Sequence, residues 1–279
     1  MITIKAFHKD EKGLYTSPKD KKFYFEIGKT YIHEGKVEIC ESGFHASRNC
    51  DISETLAYYP VNSHYCLVDI NIIDEEYNKI VGDKITILKE LTLEECIKYD
   101  KTGEWCYKYA MNTKDINIEL LQDAVIAKDT TGKWCCLFAQ DVKNVNVELL
   151  QNAVIAKDTT GWWCYQFAFH IKGANVKLLQ DAVIAKDTIG DWCYWFARDI
   201  KNSNIELLQD AVIAKDITGN WCYYFAKDVK NANVKLLQDA VIAKDTHGGW
   251  SHLFVRNVKN ANMKLLKNAI VAKGNNMKL

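Results

Sequence analysis

The sequence predicts an α+β N-terminal domain followed by an all-α solenoid of six 29-residue, two-helix repeats. Three observations carry that expectation. Trp105, Trp134, Trp163, Trp192, Trp221 and Trp250 recur every 29 residues. Gly103, Gly132, Gly161, Gly190, Gly219 and Gly248 keep the same step, as does the string Asp-Ala-Val-Ile-Ala-Lys from Asp123 to a variant at Asn268. Before residue 84 this periodicity is absent, and short β-prone runs alternate with turn residues. Self-similarity at a fixed step over more than half a chain is the signature of a repeat architecture.

The N-terminal domain is expected over residues 1–83. Ile2–Phe7, Phe23–Ile27, Val37–Cys40 and Tyr65–Ile73 are apolar, β-prone runs of strand length. Ile52–Tyr59 reads as a short helix closed by Pro60. Leu88–Tyr99 aligns with the second helix of a repeat that lacks its first, as a joint would.

The helical region is expected over 84–279, with units at 100–128, 129–157, 158–186, 187–215, 216–244 and 245–273. In the second unit Trp134, Phe138 and Val142 recur at i, i+4, i+8, the stripe of a helix that Asp or Thr starts. Lys143-Asn144-Val145-Asn146 breaks it, and Asn146 is a good N-cap for a second helix. Leu149, Leu150, Ala153, Val154 and Ala156 give that helix a broad apolar face. So small a helix pair buries its apolar face only by stacking on neighbours. Departures in the sixth unit (Ser251, Asn257, Lys267) mark it as a cap, and Gly274-Asn275-Asn276 reads as a helix stop.

Comparing units within the chain separates scaffold from surface. Trp, Phe, Ala and Leu-Leu positions scarcely change and are expected to be packing. Three positions of the first helix, four and three residues apart, vary widely and share a face. In the central units they hold Trp162, Gln166 and Phe169, then Asp191, Trp195 and Arg198, then Asn220, Tyr224 and Lys227. A row of changing aromatics with an arginine is the composition of a partner-binding ridge. These nine residues are the expected contact set for a protein partner.

The chain has 279 residues, with 36 basic and 36 acidic side chains. The zero divides into −4 over residues 1–99 and +4 over the remainder. Such a balance argues against a general nucleic-acid binder, which carries a basic excess. No apolar run approaches the roughly 18 residues of a membrane helix, and the N-terminus lacks the layout of a signal peptide. A cytoplasmic, reducing location is expected.

Five of the ten cysteines, Cys106, Cys135, Cys164, Cys193 and Cys222, share one repeat position. Layers about 8–10 Å apart hold them too far apart for disulfides or a shared zinc, so they are expected as buried small hydrophobes. Cys40, His45, Cys50, His64 and Cys66 lie close in sequence, at spacings foreign to common zinc modules. No Walker loop, dinucleotide fingerprint, H-E-x-x-H or G-x-S-x-G is present. No catalytic residue, metal or cofactor is therefore assigned.

Lys5–Asp10, Phe25–Tyr31, His33–Lys36, Cys40–Ser47 and Tyr58–Pro60 carry a further pattern. Together they resemble an uncharacterised N-terminal domain of phage and bacterial proteins, in which G-F-H-A-C is usual where Ser47 stands here. Helical repeats of the F-A-x-D-V-K-x-A-N type are likewise similar to arrays in phage and mobile-element proteins. The variable ridge leads to the expectation of a non-catalytic binding protein, and the resemblance implies a host-directed target, such as a defence or nuclease complex inhibited in the manner of an anti-CRISPR. An alternative is a similarity to ADP-ribosyltransferase-like folds, in which Gly43-Phe44-His45-Ala46-Ser47 precedes a helix and a strand. That similarity implies an enzyme or nucleotide-binding domain with the repeats as its targeting module. It would call on an early His, for which His8 is the candidate, and a late Glu, for which Glu75 and Glu76 are.

Overall fold

The computed structural model of the protein describes residues 1–17 and 23–276, so Pro18 lies outside the described residues. Contacts divide the chain into two compact units. Met1–Thr130 with Leu137–Val145 form the first, and Thr131–Cys136 with the chain from Asn146 onward form the second.

The first unit contains an antiparallel sheet. Its strands are β1 (Ile2–Lys9), β2 (Tyr15–Thr16), β3 (Tyr24–Phe25), β4 (Thr30–Ile32), β5 (Phe44–Ser47), β6 (His64–Glu76) and β7 (Lys79–Glu90). They run in the order β3-β2-β1-β6-β7-β4, and β5 also pairs with β7, at the opposite end from β4. Register shifts interrupt the β6–β7 ladder three times. Bulges of this kind bend strands. At one of them Gly82 is required, because a Cβ there would sit 2.0 Å from the Asn71 carbonyl oxygen.

The bend brings β5 round to β1. Thr3 Oγ1 donates to the Ser47 carbonyl, and Lys5 Nζ to the His45 carbonyl at 2.7 Å. Phe7, Phe25, Phe44, Val68, Ile80 and Ile87 fill the curled sheet.

Several local expectations need correction. β7 crosses the boundary placed at residue 83, and Leu88–Glu90 are strand, so only α2 (Leu93–Tyr99) is helical there. Thr92 and Glu95 start it with a capping box. Val37–Cys40 forms no strand but a turn closed by a single Glu38–Ser42 bridge, with Cys40 at φ +66°. Residues 52–59 yield only α1 (Ile52–Thr55).

Helices then alternate at the expected step: α3 (Glu104–Asn112), α4 (Ile118–Lys128), α5 (Lys133–Asp141), α6 (Val147–Lys157), α7 (Trp162–His170), α8 (Val176–Lys186), α9 (Asp191–Asp199), α10 (Ile205–Lys215), α11 (Asn220–Asp228), α12 (Val234–Lys244), α13 (Gly249–Asn257) and α14 (Met263–Asn276). Pairs of about 29 residues repeat, and from α7 onward each helix packs on its counterpart one repeat along. α14 runs on through Gly274, so that glycine does not stop the helix.

Side chains that bond backbone organise each repeat, and a tyrosine hydroxyl bonded to an aspartate of the next repeat adds a side-chain link at Tyr165–Asp199 and Tyr194–Asp228. Asn175, Asn204 and Asn233 cap the second helices as expected, each accepting the N–H three residues on. The first helices start differently from expectation. Their N-cap is a glycine near φ +90°, and the anchoring carboxylate sits three residues earlier. Asp187 Oδ1 accepts the N–H groups of Ile189 and Gly190, and Oδ2 that of Cys193 at 2.9 Å. Asp158, Asp216 and Asp245 repeat the arrangement. One buried carboxylate thus satisfies three amides, that of the turn residue before the cap and two that a helix start leaves without partners.

Lys186 Nζ in turn donates to the Asp158 carbonyl, and Lys215 Nζ to that of Asp187. Each cation meets the C-terminal end of the preceding second helix, where the helix dipole favours it.

Candidate functional site

The variable ridge lies on the first helices of the second unit, and there the structure assembles a row of rings. Trp162 packs on Trp192 of the next repeat, with centroids 4.6 Å apart. Tyr165 stacks on the same Trp192 at 6.2 Å, Tyr194 meets Trp221 at 5.6 Å, and Tyr223 meets Trp250 at 5.8 Å. A Tyr-on-Trp contact therefore links each first helix to the next. Tyr224 closes the row, lying within about 6 Å of Tyr194, Trp221 and Trp250.

This changes the reading of the repeating tryptophans. Only Trp105 is fully buried, at 1 % exposure. Tyr65 from the sheet covers it edge-on at 5.8 Å, and Tyr109 stacks on it at 4.7 Å. Trp163, Trp192, Trp221 and Trp250 keep part of their surface open. Phe167, Phe196, Phe225 and Phe254, four residues further along the helix, are the buried ring positions. A tryptophan beside the glycine N-cap sits at the helix end, where its neighbour's tyrosine covers one face only. The scaffold tryptophans and the variable aromatics thus share a surface.

The remaining ridge residues fall into two kinds. Phe169 is half exposed at the edge of the row. Trp195 carries the Arg198 guanidinium at 3.8 Å from its ring. Lys227 lies 5.8 Å from the Tyr224 ring. Gln166 contacts His170 at 3.2 Å on its own helix. Asp191 and Asn220, by contrast, turn partly inward. Asp191 lies beside the buried Asp187, and burial followed by that neighbouring charge pushes its pKa up to about 6. Asn220 Oδ1 is buried without a hydrogen-bond partner.

The cations of the ridge are already paired. Arg198 donates to both carboxylate oxygens of Asp199, at 2.7 and 2.8 Å. Asp199 also accepts the Tyr165 hydroxyl at 2.9 Å. Lys227 Nζ is 3.6 Å from Asp228. The surface is therefore aromatic and hydrogen-bonding rather than strongly charged.

A second row was not legible from composition. The first leucine of each Leu-Leu pair, expected as packing, is half exposed at Leu149, Leu178, Leu207, Leu236 and Leu265. Its successors Leu150, Leu179, Leu208, Leu237 and Leu266 are wholly buried. The buried stripe of each second helix runs through the second leucine and the Ala-Val pair after it, as at Leu179, Ala182 and Val183, and the first leucine lies at its margin.

The repeat cysteines are buried, and burial, with the nearby aspartate, raises the thiol pKa of Cys106, Cys164, Cys193 and Cys222 well above the ordinary range. In the sheet domain, Cys40 is exposed and Cys66 buried on β6. Among the described residues no group of three His, Cys, Asp or Glu side chains is placed to hold a metal. No helix among them is long and apolar enough to cross a membrane.

The residues an ADP-ribosyltransferase-like centre would call on are far apart. His8 follows Phe7, which pairs with His64 at the start of β6. Glu75 and Glu76 end that strand. At a rise of about 3.3 Å per residue this is on the order of 35 Å. Glu75 is paired with Arg48 at 2.7 Å.

No curated protein and no solved structure matches the chain. Residues 1–99 are similar to a family described as a domain of unknown function, DUF7666, a match that takes in the whole sheet and α2 and leaves the helical repeats outside it.

Proposed function

We propose that this is a non-catalytic binding protein whose helical repeats take a protein partner on the aromatic row of α7, α9, α11 and α13. The observation that carries the reading is the continuity of that row. Variable Trp162 and Tyr224 interlock with the repeating Trp192, Trp221 and Trp250, Trp195 packs on Tyr194, and part of each tryptophan and of Tyr224 stays open to a partner. Tryptophan, tyrosine and arginine are the residues that dominate interface energetics.

The pairing of Arg198 with Asp199 favours a protein over a nucleic acid, because phosphate binding needs cations whose charge is not already met. The partner is expected to present apolar side chains and hydrogen-bonding groups rather than a charged surface. In its finer form the proposal makes the partner a host defence or nuclease complex that binding inhibits. That form rests on the resemblance of Gly43–Ser47 and of the F-A-x-D-V-K-x-A-N repeat to sequences of phage proteins.

The test is affinity capture from the native host, identification by mass spectrometry, and titration of the purified partner. Trp195→Ala should weaken binding at least about tenfold, as for a central interface aromatic. Equal affinity for Trp162→Ala, Trp195→Ala and the unaltered protein would remove the row from the interface.

A further inference from the structure

The curled sheet holds a feature that the partner-binding reading does not use. Thr3, Lys5 and Phe7 on β1 pair with Val68, Cys66 and His64 on β6, so all share the core face of the sheet. A lysine stands in that apolar row, and it is only 4 % exposed. Its ammonium donates to the His45 carbonyl at 2.7 Å and reaches the Tyr59 hydroxyl at 3.4 Å. An ammonium has three N–H donors, so one remains. Among the described residues no carboxylate lies within ion-pair distance of Lys5. Burying a charge without a counter-charge is unfavourable, and neutral acceptors compensate it only in part.

The lysine faces a pocket of about 670 Å³, a volume within the range of small-molecule sites. Phe23, Phe25, Phe44 and Tyr58 line its apolar side. Lys79, only 15 % exposed, lies 5.1 Å from the Tyr58 ring and is paired with Glu76 at 3.8 Å, so Lys5 is the cation left without an acid. The acids at the pocket do not neutralise Lys5. Glu34 and Glu41 are exposed, and Glu54 is bonded to Asn49. The interior is therefore aromatic around a buried ammonium that only neutral groups meet, two hydrogen-bond acceptors and the rings of Phe7 and Tyr59 at 5.4 and 5.9 Å.

We propose that this pocket binds a small aryl oxyanion, with its carboxylate or phosphate on Lys5 Nζ and its flat ring among Phe23, Phe44 and Tyr58. The anion supplies the counter-charge that the fold omits, and the rings supply apolar contact on a preformed wall. Carboxylate and phosphate present the same acceptor chemistry to a single ammonium, and the arms of the experiment separate them.

The full chain is titrated with phenyl phosphate, benzoate, benzyl alcohol and inorganic phosphate, followed by calorimetry and by proton NMR. One or both aryl anions should saturate at millimolar concentration or below, more tightly than benzyl alcohol or inorganic phosphate. The tighter of the two identifies the oxyanion. Lys5→Met keeps the length of the side chain and removes the charge. It should weaken the aryl anions about tenfold, the worth of one hydrogen bond to a charged group, and leave benzyl alcohol unchanged. In the unaltered protein, Overhauser contacts from the bound ring to Phe44 locate the ligand without any substitution. Absence of aryl-anion binding, equal affinity in Lys5→Met, inorganic phosphate binding as tightly as phenyl phosphate, or Overhauser contacts elsewhere each overturn the proposal.

Discussion

Gln180 Oε1 accepts the backbone N–H of Asn204 at 2.7 Å, so a side chain buried in one second helix holds the N-cap of the next. Gln151 with Asn175 and Gln209 with Asn233 do the same. A glutamine in an otherwise apolar helix face is therefore the fastening between repeats. Gln180→Leu preserves volume but leaves the Asn204 amide without its acceptor. Stability should fall by about 1–3 kcal/mol, the cost of a buried unsatisfied donor. Urea unfolding measures it, and amide exchange at the first turn of α10 should quicken. Unchanged exchange there would show that the bond does not fasten the pair.

Asp187 carries more bonds than Gln180 and should matter more. Asp187→Ala removes the acceptor of three backbone amides at once, and a loss of about 3 kcal/mol or more is expected. Asp187→Asn keeps one side-chain oxygen and should fall between Asp187→Ala and the unaltered protein. Thermal unfolding by circular dichroism ranks the three. An Asn variant as damaged as Ala would mean that the charge, rather than the acceptors, holds the turn.

Asp191 provides a pH test. Its carboxyl is pushed up to about 6 by burial and by Asp187. The unfolded chain ionises near 4, so the folded state binds the proton more tightly. The stabilisation from this group is therefore complete below about pH 4 and is lost as the pH rises through about 6. At neutral pH the ionised pair opposes folding. Asp191→Asn should raise the midpoint of unfolding at pH 7, by about 1 kcal/mol after allowance for solvent screening. The difference should shrink below pH 4. A gain independent of pH would point to something other than charge.

The buried thiols act at the other end of the scale. Burial raises the pKa of Cys106, Cys164, Cys193 and Cys222. Their contribution is full below the ordinary thiol pKa of about 8.5 and declines as the pH climbs above it, because only the unfolded chain then releases those protons. Stability should therefore fall with rising alkalinity. In the native protein iodoacetamide should modify exposed Cys40 and spare all four repeat thiols, as read by peptide mass spectrometry. Modification of Cys193 at the rate of Cys40 would contradict its burial.

The repeat, its step and its helix boundaries were readable because each unit states its packing pattern again. The Asn caps and the buried cysteines followed from position within that pattern, whereas the glycine N-caps of the first helices did not. The roles of Gln180 and Asp187 did not, since a polar residue that bonds backbone 24 residues later looks the same in sequence as one facing water. The N-terminal domain was harder for a different reason. β7 mixes Lys, Asp and Gly with its isoleucines, and its pairing with β6 through three register shifts has no counterpart in local periodicity. The nine ridge residues were correctly placed on one set of helices, yet two of them, Asp191 and Asn220, turn partly inward.

The sequence by itself determined that six near-identical helix pairs follow a β-rich domain, because burial of an amphipathic helix depends on spacing that a chain displays openly. The tertiary structure alone decided which members of that pattern remain open. One tryptophan of the series is buried because the sheet's Tyr65 lies over it, and others stay partly open where only rings of neighbouring first helices pack on them. It also decided that Lys5 would be enclosed without a counter-charge, since only the curl of the sheet brings β5 across β1. Contacts between residues distant in sequence set both outcomes, and no local period encodes them.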